Sequence, residues 1–189
     1  MTEIPDWMAS TVASDATGGA GVLDGAFSAL SPEATVAGPA LVVTVSTDDN
    51  LAMRDVPAAV TAPGTVLVVT GAGESRTAIL GDLVARELMH AGIVAVVTDG
   101  LIRDSRTVAE LGLPVWARGT TAIASKKGGP GSVGGTITIG EVTVSDGDLV
   151  IADADGVVIW PAAEVDNLLA KAAAKQQADE ARLARLTGG

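Results

Sequence analysis

Two short segments carry residues whose types and spacing could do chemistry. The first is Gly81-Asp82-Leu83, which comes after a glycine-rich stretch, Gly71-Ala72-Gly73-Glu74-Ser75, and opens a segment of helical periodicity. Free amides at a helix N-terminus, together with the positive end of the helix dipole, suit a carboxylate or a phosphate. Asp82 in that place is equally suited to stabilising the first helical turn and nothing more. The glycines match neither the phosphate-binding loop, which needs Gly-Lys-Ser/Thr, nor the dinucleotide fingerprint. The second segment is Asp99-Gly100-Leu101-Ile102-Arg103-Asp104, directly after an apolar run. In open α/β sheets, ligands gather at the carboxyl ends of strands. Arg103 can form a planar fork with a carboxylate or stabilise a developing oxyanion. Asp104 can give an oxygen to a hard divalent cation. The same pair also fits a surface turn with a local ion pair.

The elements that must hold these residues can be read from periodicity. β-Branched runs at residues 41–45, 65–70 and 93–98 read as buried strands. Between the second and third, Leu80, Leu83, Val84, Leu88 and Ala91 recur at helical spacing and predict a helix over residues 81–91, with Gly92 closing it. Strand, helix and strand in that order predict a parallel pair with a right-handed crossover. Residues 115–119 form a short strand. Residues 125–135 are a loop with two lysines and five glycines. Four short strands follow at residues 136–139, 142–144, 149–152 and 157–160, separated by turns, and predict hairpins or a small barrel. From Ala162 an Ala/Lys/Gln/Glu/Arg-rich helix runs toward the end. A mostly polar helix is marginal unless it packs on something, so a partner subunit is expected. The fold class is α/β, with a βαβ unit, a β-rich layer and a long C-terminal helix.

Composition narrows the function. The chain has 189 residues, a net charge of −11 and an aromatic content of 2%. Few aromatics and an acidic balance argue against nucleic acid as a partner. With no cysteine and the single histidine His90, thiolate and multi-histidine metal sites are excluded. His90 reads as a surface or capping residue. The longest uncharged stretch, residues 56–73, is broken by Pro57, Pro63, Gly64 and Gly71, so no membrane span is expected. The first residues lack a basic and apolar leader, which points to the cytoplasm.

Gly81-Asp82-Leu83 and, about 21 residues on, Asp99-Gly100-x-x-Arg103-Asp104 together resemble the RraA-like family. That family includes class II 4-hydroxy-4-methyl-2-oxoglutarate/4-carboxy-4-hydroxy-2-oxoadipate aldolases and the regulator of ribonuclease activity A. Gly38-Pro39-Ala40 with Thr44-Val45 is similar to an early family strand. Pro114-Val115-Trp116-Ala117-Arg118-Gly119 and the block from Asp146 to Pro161 are similar to later family segments. The resemblance runs from about Thr11 to the C-terminus. It implies a layered β/β/α, swivelling-domain-like fold, with residues 1–161 as one catalytic domain and 162–189 as a helix contacting a neighbouring subunit.

By the same resemblance, Asp104 binds Mg2+ or Mn2+ directly. Asp82 holds a metal-bound water and moves protons, and Arg103 contacts the 2-oxo acid and stabilises its enolate. The amides around Gly81, Asp82 and Leu83 receive the substrate carboxylate. A Glu from the C-terminal helix of a neighbouring subunit holds a further water. Glu180 fits that place, about 20° around the helix from Leu169, with Asp179 as its rival. The intact Arg103-Asp104 pair and the long helix favour the aldolase branch, with a small-molecule 2-oxo acid substrate and an oxaloacetate decarboxylase activity. The alternative is a non-catalytic regulator of a ribonuclease that binds a protein partner. A metal-dependent reaction needs no Schiff-base lysine, and Lys126 and Lys127, in a glycine-rich loop, are weak candidates for one. The family implies a homotrimer or a hexamer. Residues 122–127 depart from the family pattern and bear on substrate choice.

Overall fold

β-Branched runs buried on both faces form the centre of the molecule. A computed structural model describes residues 3–24, 26–31 and 33–187. Its strands are β1 (Ser28–Ala29), β2 (Val36–Thr44), β3 (Thr65–Thr70), β4 (Ala78–Leu80), β5 (Ile93–Thr98), β6 (Leu101–Ile102), β7 (Val115–Ala117), β8 (Gly119–Thr120), β9 (Ser132–Val133), β10 (Thr136–Ile139), β11 (Val142–Ser145), β12 (Leu149–Ala152) and β13 (Val157–Trp160). Its helices are α1 (Ser10–Thr17), α2 (Val56–Ala59), α3 (Asp82–His90), α4 (Ser105–Glu110) and α5 (Val165–Thr187).

The main sheet runs β1-β7-β5-β3-β2-β12-β13, with β9 also on β2. Strands β2, β3, β5 and β7 are mutually parallel, in the register Val42 to Val68, Leu67 to Val96 and Val96 to Val115. Side chains alternate across a strand, so this sheet feeds two cores. Leu67 and Val69 turn toward Ala85 and Leu88 of α3 and Val108 of α4. Val66 and Val68 turn toward Ile137, Ile139 and Val144 of the β10–β11 hairpin. Hairpin, sheet and helices therefore make the layered β/β/α arrangement. Trp116 closes the hairpin side, and its indole N–H is satisfied by the Asp153 carbonyl at 2.8 Å.

A third core joins the ends of the chain. Met8 and Ala13 pack with Leu149, Ile151 and Val158 of the sheet and with Leu168 and Ala172 of α5. The buried Asp153 carboxylate fixes the start of α1, accepting from Ser10 N at 2.7 Å and Ser10 Oγ at 2.6 Å. Only the first part of α5 is held this way; residues 177–187 are exposed, with Leu183 at 60% and Leu186 at 73%. Among the described residues no helix is long and apolar enough to cross a membrane.

Beyond periodicity, the structure adds a second sheet of three short parallel strands, β4-β6-β8. Each of β3, β5 and β7 is followed, after a break, by its counterpart in this small sheet. The Asp99 carboxylate ties one break, accepting from Gly71 N, Ala72 N and Thr70 Oγ1 at 3.0 Å each. The expected strand over residues 115–119 is thus two strands in two sheets. The expected passage from Gly71-Ala72-Gly73 into α3 is interrupted by β4. Leu83 is corrected too: helical spacing put it on the buried face of α3, yet it is 68% exposed, because Ala85 and Leu88 set the face that meets the core and Leu83 stands roughly 200° around the helix from Ala85.

Leu88→Ala is expected to cost about 2–5 kcal/mol, since it empties a fully buried site beneath the sheet. Val94→Ala, on an exposed position, is expected to cost less than about 1 kcal/mol. Urea unfolding of both variants checks the contrast.

Candidate active site

The small sheet brings the two chemical segments together. β4 ends at Leu80 and continues into Gly81-Asp82; its parallel neighbour β6 ends at Ile102 and continues into Arg103-Asp104. The Arg103 amide donates to the Leu80 carbonyl at 3.0 Å, which locks the two exits side by side. Gly81, Asp82, Leu83, Arg103 and Asp104 therefore meet at one sheet end. The carboxyl-end placement expected for Arg103 and Asp104 belongs to β6 rather than to β5.

Asp104 adopts a left-handed conformation, φ 53 and ψ 32, which is uncommon outside glycine, though aspartate tolerates it better than most residues. It stands at the N-cap of α4, where an aspartate normally bonds its own helix, yet it makes no capping bond there. Its carboxylate is turned instead toward α3. Asp104 Oδ2 lies 3.4 Å from the Asp82 amide and 3.5 Å from Arg103 Nε, with both side chains about two-fifths exposed. At that exposure the ion pair contributes little stability; its consequence is to aim a carboxylate.

Gly81 makes this approach possible. A Cβ on Gly81 would lie 2.5 Å from Asp104 Oδ2 and 2.9 Å from both Cγ and Nε of Arg103. Its backbone is extended, so the requirement is for space and not for glycine's conformational freedom. Gly81 also leaves α3 without a side-chain cap, and the first-turn amides have no acceptors within the helix. Dipole, amides and Arg103 together give this corner the chemistry to hold an anion.

A cleft opens from this corner, lined by Asn50, Gly81, Leu83, Arg103, Ser125 and Lys127 among others. A second hollow, lined by Arg103, Asp104, Thr120 and Thr121, shares Arg103 with the cleft. Lys127 thus reaches the site although its loop shows no periodicity. Asn50 is an addition to the residues read from sequence. It is 8% exposed; its Nδ2 donates to the Ile79 carbonyl at 2.8 Å, and its Oδ1 is buried without a hydrogen-bond partner.

Two aspartates fasten the far wall of the cleft. Asp49 Oδ1 accepts from Leu51 N at 2.8 Å and Oδ2 from Gly128 N at 2.7 Å. Asp48 Oδ1 accepts from Arg76 N at 2.9 Å, its carbonyl accepts from Lys126 N at 2.9 Å, and the Lys126 carbonyl accepts from Asn50 N at 3.1 Å. The Leu51 amide above all, then the amides of Gly128 and Gly129, hold the Asp49 carboxyl below its ordinary value; the Arg76 amide does the same for Asp48.

The oxygen donors suit a small hard cation. Among the described residues no cluster of three or more acidic or histidine side chains exists, so an all-protein cage is absent. One directed carboxylate, Asp104, is compatible with Mg2+ or Mn2+, which keep most of their waters and take one or two carboxylates. Glu180 is not among the residues lining either hollow of its own chain. It is exposed and accepts from Gln176 Nε2 at 3.2 Å. Asp179 is bonded to Lys175, which also pairs with Asp15 of α1 at 3.0 Å.

A family model described as RraA-like, Aldolase/RraA, matches residues 10–159. A protein of Halalkalibacterium halodurans named "Putative 4-hydroxy-4-methyl-2-oxoglutarate aldolase" is 40% identical over 173 residues, covering 92% of this chain and 82% of that protein. A protein of the same name from Shewanella oneidensis is 37% identical over 119 residues, 62% of this chain and 72% of that protein. The crystal structure of Streptomyces coelicolor RraAS2, described as an unusual member of the RNase ES inhibitor RraA protein family, superposes with a TM-score of 0.84 at 32% identity, covering 94% of this chain and 93% of that one.

Because the Asp49 carboxyl is held low in the folded state, its contribution to stability is complete above the ordinary aspartate value of about 3.9 and fades as pH falls through the lower folded value. Asp49→Asn is therefore expected to destabilise the protein at pH 7, with the difference from the unmodified protein closing below pH ~4. Urea unfolding across pH 2.5–7 measures it.

Proposed function

The chain belongs to the RraA-like family, and from that premise we propose that it is a divalent-metal-dependent aldolase. It cleaves 4-hydroxy-2-oxo acids of the 4-hydroxy-4-methyl-2-oxoglutarate kind to pyruvate and decarboxylates oxaloacetate. The observation that carries the reading is the convergence of Asp104, Arg103 and the uncapped start of α3, made possible by the missing side chain at Gly81.

In this reading Asp104 would hold Mg2+ or Mn2+, and Asp82 would bond a water of that ion; when bound, the ion would supply Lewis acidity toward the 2-oxo acid. The amides at Gly81, Asp82 and Leu83 receive the C1 carboxylate. Arg103 faces the C2 oxygen, where negative charge grows as the enolate forms, and its guanidinium offsets that charge in the transition state. Asp82 carries the proton, taking it during cleavage and returning it to C3 of the enolate. Lys127, at the same cleft, suits a second, distal carboxylate of the substrate.

A neighbouring copy completes the site in a homotrimer or hexamer. Support comes from the exposed end of α5 with its apolar Leu183 and Leu186, which gain by burial against another subunit. Asp179 is engaged with Lys175 on the α1 side, which leaves Glu180 as the carboxylate to reach across. The second reading, a regulator that binds a protein, is favoured by the description of the Streptomyces structure.

The assay that separates them supplies oxaloacetate with Mg2+ or Mn2+ and follows pyruvate. Metal-dependent turnover is expected, with Asp104→Ala at background and Arg103→Ala lower by about 100-fold or more. Gly81→Ala, with its fold intact by circular dichroism, is expected to lose most activity, because its methyl group displaces the Asp104 carboxylate. Glu180→Ala is expected to lower turnover more than Asp179→Ala. Background rates for the unmodified protein with either metal contradict the aldolase reading and leave the regulator.

A further inference from the structure

The cleft is lined by two cations, Arg103 and Lys127, and by no acidic residue, in a chain whose net charge is −11. Arg103 stands beside the start of α3, and Lys127 comes from the glycine-rich loop. Ser125 and Lys127 line the cleft while Lys126 between them does not, the alternation of an extended chain. Among the described residues no carboxylate pairs with the Lys127 ammonium.

Residues 48–50 hold the backbone on both sides of the Lys127 Cα. The carbonyl of the peptide group before it, that of Lys126, accepts from Asn50 N at 3.1 Å, and the Lys126 amide donates to the Asp48 carbonyl at 2.9 Å. The amide of the peptide group after it, Gly128 N, donates to Asp49 Oδ2 at 2.7 Å. Of these three bonds only the last is made by a side chain. Asp49 is buried, and its other oxygen accepts from Leu51 N at 2.8 Å, so each carboxylate oxygen has its own donor. An asparagine there has one acceptor atom for two amides and turns an N–H against the second. The fit has little slack: a Cβ at Gly129 would collide with Ser46 Oγ and stand 3.0 Å from Asp49 Cγ, and one at Gly131 would lie 2.6 Å from the Thr44 carbonyl oxygen.

A lysine meets an anion as a point charge on a flexible stem, so where the stem begins decides which anion it reaches. A 2-oxo acid whose first carboxylate lies at the α3 amides uses Lys127 only if it carries a second carboxylate further along. Resting on the aldolase reading above, we infer that Asp49 is a positioning residue for substrate choice: by holding the Gly128 amide it keeps Lys127 where the distal carboxylate of a 2-oxo diacid binds. Asp49 lines neither hollow and acts only through that loop.

The test compares two uncleavable ligands of equal chain length, 2-oxoglutarate and 2-oxopentanoate, which ends in a methyl group in place of the second carboxylate. Their Kd values are measured by calorimetry on the full chain with Mg2+. The unmodified protein is expected to bind 2-oxoglutarate about tenfold or more tighter, the scale of one hydrogen bond between charged groups. Lys127→Ala and Asp49→Asn are each expected to bring that ratio within about threefold of equality, while Kd for 2-oxopentanoate stays within about twofold, a split that general loss of structure does not produce. The double variant is expected to match Lys127→Ala, because Asp49 acts through that residue. If Asp49→Asn does not fold, Gly129→Ala, which crowds the same contact and keeps the carboxylate, is read in its place. A ratio left intact by Asp49→Asn or by Lys127→Ala, or an equal loss for both ligands, overturns the assignment. Equal binding of the two ligands, or none, by the unmodified protein also overturns it. The aldolase reading fails separately, if the unmodified protein forms no pyruvate from oxaloacetate with either metal.

Discussion

The candidate site depends on one close approach: the Asp104 carboxylate standing over Gly81, where a Cβ would come within 2.5 Å of its Oδ2. Three features of the fold conspire in it. Parallel pairing of β4 with β6 places the two strand exits side by side. The left-handed turn at Asp104 swings its side chain away from its own helix. The N-terminus of α3, without a side-chain cap of its own, turns its dipole and first amides toward that carboxylate. Each of these departs from what local stability alone favours. Asp104 forgoes a capping bond and sits in a sparsely populated backbone region, the pattern expected where positioning outweighs stability.

The scaffold absorbs that departure through cores on both faces of the main sheet. Its parallel strands are covered by helices on one side and by the β10–β11 hairpin on the other, so their backbone cannot shift without disturbing two packed layers. The small sheet inherits this rigidity, because each of its strands continues a strand of the main sheet across a short break, and Asp99 ties one of those breaks to three donors. The far wall is held differently, by Asp48 and Asp49 bonding loop amides, an arrangement that depends on charge and hence on pH.

Much of this was legible in the sequence for identifiable reasons. The strands of the main sheet are β-branched runs that no helix accommodates easily, and α3 and α5 have clear helical spacing. Asp82, Arg103 and Asp104 declared themselves through charge and glycine placed at element boundaries. What stayed hidden is short or aperiodic. β4, β6 and β8 have two or three residues each, below the length at which alternation carries information. Leu83 obeyed helical spacing but stands across the helix from Ala85, which meets the core, so periodicity assigned it to the wrong face. Asn50 sits in a loop that only the parallel bridging of Asp49 to Lys126 brings to the cleft, whereas Lys127 belongs to the loop 122–127, whose departure from the family pattern already pointed to the substrate side.

The central claim is that Asp104 is a metal ligand beside a carboxylate-binding helix terminus. The most direct measurement is a crystal structure of the protein with Mn2+ and pyruvate, read by anomalous scattering. The account predicts a manganese peak at coordinating distance, roughly 2.0–2.3 Å, from an Asp104 carboxylate oxygen, with the pyruvate carboxylate against the amides of Asp82 and Leu83. Manganese absent from Asp104, with its carboxylate still turned to Arg103 and the Asp82 amide in the presence of both ligands, contradicts it.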